Sequence, residues 1–121
     1  MIPPIVPLLA ADATVTALLG SAPIRVYPFG EAPELQTYPY ATWTVFSGNP
    51  QNQLGDVPDM DVIGTQVDIW GETASSALDV AAAIRDAIEP HAHMVGFGST
   101  TREAETGHYR VRLEFDFFTE R

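Results

Sequence analysis

A chain of 121 residues predicts a single domain, 1–121, with enough buried surface for one hydrophobic core. Its 45% hydrophobic and 18% charged content excludes a disordered polymer, and the absence of cysteine excludes disulfides, thiolate metal sites and cysteine nucleophiles. Sixteen acidic residues face six arginines and no lysine, a formal charge of −10, which excludes the clustered cations that a nucleic-acid grip requires.

The opening MIPPIVPLLAAD is apolar, but it has no basic lead, carries three prolines and runs into Asp12. It reads as neither signal peptide nor membrane span, and the expectation is a soluble, intracellular protein with no membrane partner. Residues 3–19 read as helix in two pieces, with Asp12 as N-cap of ATVTALL and Gly20 as the stop. Leu8, Leu9, Val15, Leu18 and Leu19 supply its apolar stripe. Ile24 to Pro28 is a short strand candidate, and the segment up to Pro39 is a turn-rich connection.

YATWTVFSG, from Tyr40 to Gly48, is β-branched and aromatic, as a pleated surface demands. Ala41, Trp43 and Val45 share one face; Tyr40, Thr42, Thr44 and Phe46 share the other. SGNPQNQLGDVPDMD, from Ser47 to Asp61, then obeys neither period and reads as a long irregular arm. VIGTQVDIWG, from Val62 to Gly71, is a second long strand with Ile63, Thr65, Val67 and Ile69 on one face. Residues 73–89 form the clearest helix, with Ala77, Ala81, Ile84 and Ile88 at helical spacing, Thr73 or Ser75 as cap and Pro90 as terminator. GFGSTTREAETG, residues 96–107, reads as a polar loop or loose hairpin.

The last strand, HYRVRLEFDFF, points Tyr109, Val111, Leu113, Phe115 and Phe117 inward and Arg110, Arg112, Glu114 and Asp116 outward. The fold class is α+β: one mixed or mainly antiparallel sheet with two helices packed on it. The long helix is expected over the inward stripes of the last two long strands.

Candidates for chemistry are sparse. His91 and His93 flank Ala92, and with His108 they invite a metal site, yet no HExxH framework accompanies them. Exposed loop histidines are the ordinary explanation. GDVPDMD lacks the glycine and closing glutamate of a calcium loop. Asp68 with Glu72, and Glu103 with Glu105, are carboxylate pairs of the kind that solvated strands and loops carry. Ser75 and Ser76 stand at a helix start, where capping is the usual role. The sequence predicts no enzyme, no catalytic or metal residues and no cofactor.

Irregular stretches longer than about 12 to 15 residues are uncommon in compact domains and are usually functional or disordered. The stretch from 47 to 61 is therefore either a flexible surface hairpin tip or an assembly arm, with Asn49, Gln51, Leu54, Asp56, Val57, Asp59, Met60 and Asp61 as the arm's contact candidates. Leu54, Val57 and Met60 are its apolar anchors.

The order of segments resembles the tail-completion family of long-tailed bacteriophages and prophages, whose members act as tail terminators. The residues that carry the resemblance are VTALLG, RVYPFGEAP, YPYATW, GDVPDMD, QVDIWGETASSA, AIRDAIEP and YRVRLEFDFFTER, covering nearly the whole chain. The resemblance implies a ring-type oligomer, a homo-hexamer, that caps the tail tube protein, ends tail elongation and receives the head–tail connector or head-completion protein. It implies a virion location at the head-proximal end of the tail, after assembly in the host cytoplasm. Genomic DNA would pass the lumen without specific binding, in keeping with the acidic charge. Tyr27, Phe29, Phe46, Trp70, Arg110 and Arg112 are the interface candidates that complement the arm, with core packing or a solvated face as their competing roles. A neck or head-completion ring protein of the same virion, or a small metal-binding module, are the alternatives.

Overall fold

The computed structural model describes residues 2–34, 36–51, 55, 57, 59–98 and 100–120. The chain runs α1 (Ile5–Ala10), α2 (Ala13–Leu19), β1 (Val26–Pro28), β2 (Tyr40–Pro50), β3 (Met60–Gly71), α3 (Ala74–Ile88), β4 (His93–Phe97), β5 (Thr101–Arg102) and β6 (Tyr109–Glu120). The strands form one mixed sheet in the order β1-β2-β3-β6-β4, with β5 also paired to β6. Among the described residues only the β1–β2 pair is parallel, and three helices pack on one face, giving an α+β fold.

The first helical segment is two helices because Asp12 interrupts it. Its carboxylate accepts the Val15 amide at 3.0 Å and starts α2 afresh. Arg25 then ties the end of α2 to the start of β2. Its Nη2 donates to the Leu18 carbonyl at 3.0 Å and its Nε to the Pro39 carbonyl at 2.9 Å. The long helix α3 begins where Thr73 Oγ1 accepts the Ser76 amide at 3.1 Å. Its start lies so close to β3 that a Cβ on Gly71 would stand 2.8 Å from the Ala77 nitrogen. Glycine is required there by space.

The core is the product of two periods meeting. Period two places Ile63, Val67 and Ile69 of β3 and Val111, Leu113, Phe115 and Phe117 of β6 on one face; the helical period supplies Ala77, Val80, Ala81, Ile84 and Ile88 of α3. Ile5 and Leu9 of α1 and Val15 and Leu19 of α2 close the remainder. Each large side chain so buried stabilises by about 1.5–3 kcal/mol. Thr65 also points into this core, fully buried, and its hydroxyl has no hydrogen-bond partner. Replacing Thr65 with Val is therefore expected to raise stability by about 1 kcal/mol, read as a higher denaturant midpoint. A lower midpoint would show that the hydroxyl is satisfied.

The three helices are the two pieces expected over residues 3–19, divided at the Asp12 cap, and the long helix expected over 73–89. The architecture departs from the sequence expectation in two places. The arm is shorter than 47–61: Ser47, Gly48, Asn49 and Pro50 pair with Gly64, Ile63, Val62 and Asp61, and Gln51 N–H donates to the Met60 carbonyl at 2.8 Å. A bulge between Val45 and Ser47 shifts the register, which hides the strand from a period-two reading. Finally, β4 and β5 lie within or beside the stretch read as loop. Their brevity and the bulge between Met94 and Gly96 remove any alternation to detect.

Candidate assembly surface

The sheet face opposite the helices carries the polar parity of each strand. Its upper part is an aromatic and cationic row. Tyr40 of β2 stacks on Trp70 of β3 with ring centroids 6.1 Å apart and planes 12° from parallel. Arg110 of β6 lies over the Trp70 ring at 5.6 Å, a cation–π contact. Tyr38 meets Tyr40 edge-on at 5.3 Å and His108 at 4.1 Å, and Tyr27 of β1 approaches Tyr40 at 6.4 Å. Cross-strand register explains the assembly of this row, since Tyr40 faces Trp70 and Trp70 faces Arg110.

One rung below, Asp68 faces Arg112 in register, and the guanidinium Nε donates to the carboxylate at 2.9 Å. Gln66 Nε2 donates to the same carboxylate at 3.3 Å. The bond to Asp68 holds the Arg112 guanidinium charged, raising its pKa above the ordinary value. The contact satisfies a carboxylate that is otherwise almost fully buried.

Burial, reinforced by the neighbouring Tyr38 phenol, pushes the Tyr40 hydroxyl from 10.0 up to about 12. A raised phenol pKa means that the folded state holds its proton more tightly. The associated stability is complete below pH 10 and is lost as pH rises from 10 to 12. A fall of about 2 kcal/mol is expected across that window, and a smaller fall in the Tyr40→Phe variant, measured by denaturant titration at each pH. Equal falls in both proteins would contradict the assignment.

Further along, the β2–β3–β6 ladder outruns the helices and its side chains emerge. Phe46, displaced by the bulge, is 54% exposed, and Phe118 at the end of β6 is 52% exposed. Between them stands Gly64, where an added Cβ would come within 3.1 Å of the Phe46 ring and would collide with Ser47 Oγ. The glycine lets the phenyl ring lie flat on β3. Val62 pairs with Phe118, so Phe46, Val62 and Phe118 mark the open end of the ladder.

The sequence candidates divide accordingly. Tyr27, Trp70, Arg110 and Arg112 join the aromatic and ionic rows, and both arginines are engaged within their own chain. Phe29 follows β1 in an exposed turn, and Phe46 sits at the ladder's open end. Asn49 and Gln51 are exposed at the end of β2, and Met60 and Asp61, half-buried, open β3. Val57 and Asp59 are exposed. Leu54 and Asp56 lie outside the described residues. Among the described residues no three histidine, aspartate or glutamate side chains converge to hold a metal ion; His93 pairs with Asp116 across β4–β6, whereas His108 packs on Tyr38. Phe118 and Phe97 were not among the candidates. Phe118 has a sequence signal, an apolar residue on the polar parity of the last strand.

The sheet thus has one face against helices and the other bearing aromatic, ionic and apolar ladders. A family model described as tail completion protein gp17 matches residues 3–120, and the chain belongs to that family. It is thus a structural protein of the virion tail, and its family is not a family of enzymes. The fold is similar to that of a chain in the virion of a native gene transfer agent particle, with a TM-score of 0.71 at 20% identity, covering 97% of this chain and 92% of the other. No curated protein matches the sequence. No helix among the described residues is long and apolar enough to cross a membrane.

Proposed function

We propose that this protein is a tail terminator, a one-domain subunit that assembles as a hexameric ring on the head-proximal end of the tail tube. The ring ends tube elongation and presents the surface on which the head–tail connector or head-completion protein docks. The observation that carries this reading is the family match across residues 3–120. The exposed aromatic side chains at the end of the β2–β3–β6 ladder support it, because surface Phe46 and Phe118 favour burial against another protein. The arm candidates Gln51, Leu54, Asp56, Val57 and Asp59, with Asn49, Met60 and Asp61 at the ladder end beside them, reach the neighbouring subunit or the tube beneath. Tyr27, Phe29, Phe46, Trp70, Arg110 and Arg112 contribute the adjoining interface.

Six copies carry a formal charge of about −60, six times the −10 of one chain. Such a lumen repels the DNA backbone and lets the genome slide past. The same repulsion opposes ring closure, so salt that screens it is expected to favour the ring. Deletion of the gene from the phage tests the role directly. Overlong or unjoinable tails are expected, whereas normal tails beside filled or leaking heads would assign the protein to the neck.

A further inference from the structure

A ring built from one kind of chain by rotation joins two different patches, and each must be present on every copy. One is the open end of the β2–β3–β6 ladder with Phe46. The other lies across the molecule, between α3 and β4. There the sheet extends beyond its helical cover and leaves an apolar groove of about 400 Å³, lined by Leu78, Ala82 and Arg85 of α3, Met94 and Phe97 of β4 and Val111 of β6. Leu78 is 49% and Phe97 71% exposed, so the groove is open at its rim.

Resting on the hexameric-ring reading, we infer that this groove receives the ladder end of the next copy, with Phe46 seated between α3 and β4. The occupant is a second copy of this chain. Charge favours that choice. Between Arg25 and Arg85 the sequence has no arginine, lysine or histidine, so β1, β2 and β3, and Asp59 just before β3, belong to a segment whose only charges are acidic. From Arg85 onward five arginines face seven acidic residues, a charge of −2, against −8 for the eight acidic residues between Arg25 and Arg85. Arg85 is itself a wall of the groove, held at the surface by Asp86 at 3.0 Å and Glu89 at 3.7 Å. An acidic ladder end meeting this nearly neutral part of the chain, rather than another acidic end, lowers the repulsion that opposes ring closure. Both partners also offer sheet edges, since β2 beyond Trp43 and β4 are outer edges among the described residues.

The cysteine-free chain makes the contact directly readable. Full-length Phe46→Cys and Leu78→Cys proteins, one tagged, are mixed and treated with a short bis-maleimide; the double variant is treated alone. The expected result is a mixed covalent dimer absent from either single variant, and a ladder ending at the ring's copy number from the double variant. Rings by native mass spectrometry without the mixed dimer would leave the terminator reading intact and overturn the groove contact, assigning the groove to the tube or connector. A Phe46–Phe46 product would overturn it in favour of a two-fold contact. Failure to oligomerise at any concentration or on tail tubes would overturn ring and groove together. Ala82→Trp, which fills the groove from a half-buried position, is expected to weaken ring formation at least tenfold while leaving the monomer's circular dichroism unchanged; unaltered assembly would overturn the contact.

Discussion

Replacing Ile84 with Asp is expected to abolish folding of the isolated subunit. Ile84 has no exposed surface and stands on the buried face of α3 with Val80, Ala81 and Ile88, within the core cluster that includes the inward residues of β3 and β6. Removing its aliphatic branch costs about 2–5 kcal/mol, as other buried large-to-small changes do. A carboxylate left there without a partner adds several kcal/mol, either as desolvation or as the work of keeping it protonated. The sum matches the whole stability of a domain this size, about 5–15 kcal/mol. Loss of the cooperative far-ultraviolet transition is the expected result. Leu78→Asp, on the exposed side of the same helix, is the control and is expected to keep the fold. A soluble Ile84→Asp protein with an unchanged midpoint would mean that α3 packs by another face.

The contrast between Ile84 and Leu78 also shows what the amino-acid order makes legible. Where a single period runs uninterrupted against one neighbour, the element and its buried face can be read directly. The last strand is the clearest case: its inward parity, Val111 to Phe117, is buried throughout. Residues 74–88 are equally plain, with a threonine cap at one end and proline beyond the other. Legibility fails at register shifts. The bulge at Phe46 turns a continuing strand into an apparent arm, and the bulge at Val95 turns a five-residue strand into an apparent loop. It also fails where a surface depends on two distant segments. The groove needs Leu78 from a helix and Phe97 from a strand, and nothing local to either residue announces the other. The aromatic row of Tyr40, Trp70 and Arg110 is similarly a product of pairing between three strands. Each residue looked like an outward-facing strand position, and only register makes them a stack.

Replacing Gln51 to Pro58 with a short Gly-Ser link is expected to leave the monomer folded and to abolish ring formation or docking on the tail tube. The fold is expected to survive because the ladder pairs of β2, β3 and β6 lie outside that segment. Pro50 still pairs with Asp61, and β3 remains held by β6 along its full length from Met60↔Glu120 to Gly71↔Tyr109. The lost stability is that of a loop closure, which changes by only about 0.6 kcal/mol for each doubling of length. Assembly does not share that tolerance. The deleted stretch contains Leu54 and Val57, the apolar anchors predicted for a partner, and Val57 is 78% exposed. A buried anchor of this kind typically contributes about 1–2 kcal/mol or more to an interface, and a closed ring repeats the loss at every junction. Six small deficits therefore act together on a single equilibrium. Native mass and tube-capping assays on the same preparation separate the two effects. Normal rings from a Gly-Ser-linked chain would remove the segment from assembly and leave Phe46 and the ladder end as the only part of the hairpin in contact.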